Sequence, residues 1–152
     1  MMSFLFRLGA YLLLKRPVKD KTFAEIIDTC RENGRVLVAK ISAAPENEAN
    51  QEQLNHIIGI EQWGQSRLQI ALGGPLLQDE YDQYRPEHNA TFSELRDLFP
   101  TVRATTVALA EKINKNDADN HKVPHNQFGD LDCKVWLYYL TIHADRESHS
   151  IN

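Results

Sequence analysis

His143 and Glu147 stand four residues apart in the closing stretch WLYYLTIHADRESHSIN, residues 136–152. On a helix that spacing projects an imidazole and a carboxylate from one face, where the pair can grip a single cation. A third ligand-type group is His56, in the stripe His56, Ile60, Trp63, Arg67 beside the apolar stripe of Ile57 and Leu68. If the two helices face each other, three ligands converge from two elements. Two imidazoles and one carboxylate leave coordination positions open for water or a substrate group, and they suit zinc, nickel, iron or manganese. The plainer alternative is a hydrogen-bonded core histidine, with Glu147 paired to Arg146, Lys134 or a neighbouring subunit.

Glu61 interrupts the apolar face near Leu54 and Leu68 and has two readings: an acceptor behind a ligand histidine, or an interhelical or surface salt bridge. His149 is the alternative ligand to Glu147. Six residues from His143, it points elsewhere on a helix and reaches the same ion only if the C-terminus frays. His121 and His125 also lie four apart, but Pro124 falls between them in a polar stretch, so helical projection does not apply to them.

Other chemistries lack their residues. There is no G-x-S-x-G elbow, phosphate-binding glycine loop or dinucleotide fingerprint. The two cysteines, Cys30 and Cys133, are too far apart for a C-x-x-C pair; they read as buried free thiols in a reducing compartment, and the expected location is the cytoplasm. A net charge of −4 gives no electrostatic case for nucleic acid.

The elements that must hold these residues are helical. The 152 residues fit one domain with one core. A capping box of Thr22 and Glu25 opens a helix to about Ala44, with Phe23, Ile26, Ile27, Cys30, Gly34, Leu37, Val38 and Ile41 as its stripe. A second helix starts between Asn47 and Gln51, carries His56, and is stopped by Gly73, Gly74 and Pro75; residues 76–90 form a long connection. Thr91 and Glu94 cap a third helix to about Ile113, with a kink or restart expected at Pro100. Residues 114–129 read as a loop, and Asp130 as the N-cap of the final helix from Leu131 onward. The chain stops soon after the ligand pair, so the last turn is expected to have little bracing it.

Four long helices without strand alternation predict an all-α four-helix bundle, in which the long links after helices two and three permit crossovers. Ahead of it, residues 1–20 form an amphipathic segment, with Phe4, Leu5, Leu8, Tyr11 and Leu12 at helical spacing. It is too short to span a bilayer and lacks the layout of a signal peptide. The expectation is a short helix docked on the domain or on a second subunit, with a membrane-surface anchor as the alternative.

Three stretches, LNHIIGIEQW, PHNQFGDLD and WLYYLTIHADRESH, together resemble the DinB/YfiT-like superfamily, and the likeness covers most of the chain from Thr22 onward. The resemblance implies a four-helix bundle with a long crossover, often dimeric, with a divalent metal on three histidines. His56 matches the first ligand position and His143 the second. The third falls on Glu147, where the family has histidine. The implied activity is that of a metal-dependent transferase or hydrolase acting on a thiol or another small molecule, with Trp63, Trp136 and Tyr139 as pocket walls or as plain core residues. A metal-free bundle serving as a binding or dimeric interaction module is the alternative.

Overall fold

The computed structural model describes residues 4–152; Met1 to Ser3 and the side chain of Phe4, all within the N-terminal segment, lie outside the described part. Helix α1 runs from Phe4 to Val18, α-helical over Phe4–Ala10 and Arg16–Val18 with a π-turn over Tyr11–Lys15 between them. The long helices are α2 (Phe23–Ala43), α3 (Glu48–Ile70), α4 (Phe92–Lys115) and α5 (Cys133–Ser148). The fold is therefore largely helical. It also contains a small hairpin of β1 (Lys122–His125) and β2 (Gly129–Asp132), antiparallel with Val123 opposite Leu131 and His125 opposite Gly129.

Local chemistry explains most of the boundaries. Both expected capping boxes form: Thr22 and Glu25 at the start of α2, Thr91 and Glu94 at the start of α4. Asn47 caps α3 by accepting the Asn50 N–H. After Ile70 the chain closes with a Schellman pattern, Gly74 N–H to Gln69 O and Gly73 N–H to Ile70 O.

The expected loop and N-cap are corrected, and, of the kink or restart expected at Pro100, so is the restart. Residues 114–129 are not all loop, because 122–125 pair with 129–132, and Asp130 therefore lies on a strand; the N-cap of α5 is Asp132, whose carboxylate accepts the Val135 N–H at 2.9 Å. Pro124 is tolerated because a two-stranded ribbon consists of edges only. At Pro100 the helix does not restart. α4 runs through it, and Pro100 is exposed, so the carbonyl that loses its partner can turn to water.

The four long helices pack in the cyclic order α2, α4, α3, α5, so α2 and α3, joined by the shortest link, lie across from each other. Two apolar clusters fill the space between them. One gathers Leu14, Val18, Phe23, Ile26, Trp63, Leu131 and Trp136; the other gathers Leu37, Ile41, Leu54, Phe92, Phe99 and Ile151. Cys30 and Cys133 are free and buried, and burial pushes the Cys133 thiol up to about 12. No helix among the described residues is long and apolar enough to cross a membrane.

The C-terminal turn is braced, contrary to expectation. Ile151 is buried in the second cluster, Lys40 Nζ donates to Ser148 O, and the buried Asn50 donates to Asn152 O and accepts from Asn152 N. This support keeps the turn that carries Glu147 in register with α3.

Candidate metal centre

The site depends on how closely α3 and α5 approach. Gly64 faces Leu140: a Cβ at position 64 would stand 2.6 Å from Leu140 Cδ1 and 2.9 Å from Cγ, so any larger residue there would have to displace the buried Leu140 side chain. Two turns earlier on α3 and one turn later on α5, His56 and His143 meet with ring centroids 5.2 Å apart and planes tilted by 55°. Glu147 completes the group. One ligand atom from each of His56, His143 and Glu147 lies within 4.8 Å of the others, and all three residues are half-buried. Tetrahedral donors at about 2.1 Å from an ion stand about 3.4 Å apart, so ligation would draw these side chains together by up to about 1.4 Å. That is within reach of side-chain rotation.

The protonation states fit a cation. Burial lowers the pKa of His56, and the Arg85 guanidinium lowers it further against the opposing pull of Glu147 and Asp82. His143 falls to about 4, through burial first and the neighbouring His56 second. At neutral pH both imidazoles are neutral, the state a metal ligand requires. Burial, then the charge of Glu147, pushes the Tyr139 hydroxyl up to about 12.

The surrounding polar groups were not legible in the sequence. Gln53, one turn before His56, donates from Nε2 to Glu147 Oε2 at 2.7 Å. Arg85 Nη2 approaches His56 Nδ1 at 3.3 Å; since a guanidinium only donates, Nδ1 accepts and the neutral ring carries its proton on Nε2. Arg85 also pairs with Asp82 at 3.1 Å and lies over the Tyr81 ring, whose plane meets that of His56 nearly at right angles. Both aromatic and guanidinium come from the long link, at and just after the 3-10 turn Tyr81–Tyr84. Gly59 admits them: a Cβ there would meet Arg85 Cγ at 2.7 Å. A cleft of about 540 Å³ opens beside His56, walled by Gln53, Asn55, Tyr81, Arg85, His88 and neighbouring acidic residues of α3. This volume suits a small molecule.

The other candidate residues fall elsewhere. Glu61 does not stand behind a histidine. Both its carboxylate oxygens are taken by Arg103, at 2.6 and 2.8 Å, and Arg103 also donates to Cys30 O and Asn33 Oδ1, tying α4 to α3 and α2. His149 is the exposed C-cap of α5 and lies outside the three-residue group. Trp63 and Trp136 are core residues rather than cleft walls, their indole N–H groups donating to Asp79 O and Val123 O. Tyr139 bridges the two regions, in ring contact with His143 on one side and with Trp136 and His125 on the other.

His121 is exposed and His125 buried, so these two do not act together. His125 packs among Trp63, Phe128, Trp136 and Tyr139. Its Nδ1 accepts the N–H groups of Gln127 and Phe128, which leaves the proton on a buried Nε2 without a polar partner. Burial, then Arg67 and His143, lowers its pKa to about 3. Arg67 is itself fully buried over Trp63, donating to Asp79 O and Asn126 Oδ1.

Compared with family models, curated proteins and solved structures, the chain matches none.

Proposed function

We propose that the chain is a divalent-metal-dependent enzyme of the DinB/YfiT-like type, a four-helix bundle acting as a transferase or hydrolase on a thiol or another small molecule. The observation that carries this reading is the convergence of His56, His143 and Glu147 from two helices, with His56 also lining a cleft of small-molecule size. A divalent ion held there would lower the pKa of a bound thiol or water, or polarise a substrate oxygen. The chain's own groups have distinct tasks. Gln53 orients the Glu147 carboxylate, burial keeps both imidazoles neutral, and Arg85 presents a fixed positive charge to whatever occupies the cleft.

A metal-free binding module is the second reading, favoured by one observation: Glu147 Oε2 and His56 Nδ1 already have hydrogen-bond donors, Gln53 and Arg85, without any ion. Thermal unfolding in the presence of zinc, nickel, iron(II) or manganese separates the two. An ion binding the native site at 100 times its Kd adds about 2.7 kcal/mol, a rise of roughly 5–10 °C in Tm for a chain of this size. The rise is expected with at least one of these ions and is expected to vanish in His143→Ala. No rise with any of the four would overturn the enzyme reading.

A further inference from the structure

Helix α1 has two unlike sides. Ala10, Leu14 and Val18 are buried, the last two within the first core cluster, so the helix is fixed to the domain along one edge. Away from that edge, Leu5 is 76% exposed and Leu13 57%, with Phe6, Leu8, Tyr11 and Leu12 about half exposed. Leu5, Leu8 and Leu12 follow the i, i+3, i+7 spacing of one helical face. A docked helix that keeps six large apolar side chains exposed has a second surface to cover.

Charge identifies the occupant. The first 21 residues carry Arg7, Lys15, Arg16, Lys19 and Lys21 against Asp20 alone, a net of +4, while the whole chain is at −4, so the remainder carries −8. All five basic residues are exposed, and four of them cluster where the apolar face ends. A two-fold dimer through this face would set two +4 segments against each other, because such an interface uses the same patch on both copies. An anionic lipid surface attracts the same charges. It also accepts leucines at the depth of the acyl boundary and a tyrosine at the headgroups. The helix is too short and too interrupted by charge to cross the bilayer, but it can lie on one.

We infer that the exposed face of α1 is a membrane-surface anchor, in which Leu5, Leu8, Leu12 and Leu13 insert into the headgroup region of an anionic bilayer while Lys15, Arg16, Lys19 and Lys21 hold its charge. The inference is independent of the metal centre. Because α1 is packed on the domain, the anchor would also fix the orientation of the helical body on the membrane.

The test is co-sedimentation of the full chain with vesicles of phosphatidylcholine alone and with 30% phosphatidylserine. Binding is expected only to the anionic vesicles and is expected to fall as salt rises through the range where the Debye length shrinks from about 10 to 3 Å. Arg16→Gln with Lys19→Gln should weaken it roughly 30-fold, about fivefold for each charge near the surface. Leu5→Ser, Leu12→Ser and Leu13→Ser together should abolish it without moving the urea midpoint, since these side chains are not part of the core. Equal binding to neutral vesicles, or anionic binding that survives the triple leucine change, would overturn the inference. So would the absence of vesicle binding combined with a dimer in sedimentation velocity that the triple change dissociates; the face would then be a contact between copies.

Discussion

Replacing Arg103 by methionine removes the cation that neutralises Glu61, a residue only 1% exposed. Four hydrogen bonds go with it: two to the Glu61 carboxylate, one to Cys30 O and one to Asn33 Oδ1. The carboxylate is left in an apolar helix interface without its counter-charge. Breaking a buried pair from one side costs about 3–5 kcal/mol, far more than the net worth of the pair, because the uncompensated charge is what destabilises. With a urea slope of about 2 kcal/mol per M for a small domain, 4 kcal/mol moves the unfolding midpoint down by about 2 M. Adding Glu61→Leu to Arg103→Met removes the stranded charge and should recover most of that loss. The double variant also separates two roles for Glu61. If the carboxylate serves only Arg103, the refolded double variant keeps the divalent-metal response of the wild type. A single variant within 1 kcal/mol of wild type, or a stable double variant that has lost metal binding, would refute the reasoning.

Three further outcomes follow from the packing and the charges. Gly64→Ala puts a Cβ against the buried Leu140 and should cost about 1–3 kcal/mol in urea unfolding while weakening metal binding, because it pushes α3 away from α5. His125, with its native pKa lowered to about 3 from 6.5, binds fewer protons folded than unfolded, so its contribution to stability is complete above about pH 6.5 and is lost as pH falls toward 3. At pH 5 the loss is about 2 kcal/mol, and His125→Phe should flatten that part of the stability profile in urea melts at stepped pH. Arg85→Gln removes the charge that helps to depress His56, so the pKa of His56 followed by proton NMR should rise and metal affinity should increase.

The parts of the fold that were legible in the sequence are those set by neighbours along the chain. Thr22 with Glu25, and Thr91 with Glu94, specify helix starts through contacts three residues apart, and the i, i+4 relation of His143 and Glu147 needs only a helix to exist. The hairpin was hidden because strands of four residues, KVPH and GDLD, are too short to display alternation and one contains proline. Arg85 and Tyr81 belong to the site only because the link folds back onto α3 at Gly59, a contact no local pattern encodes. Glu61 shows a different limit. A carboxylate on an apolar face gives the same sequence signal whether it serves a histidine or an arginine, and the choice was made by Arg103 on another helix. Likewise the brace on the last turn joins Asn50 to Asn152, which are 102 positions apart.

The most direct test of the metal centre is elemental analysis of the full chain purified without chelator, alongside His143→Ala prepared in the same way. The expected result is close to one zinc, nickel, iron or manganese ion per wild-type chain and almost none in a His143→Ala protein that remains folded. Wild-type protein free of all four ions, unable to take up any of them on addition, and no more stable than His143→Ala would contradict the proposed metal centre of His56, His143 and Glu147.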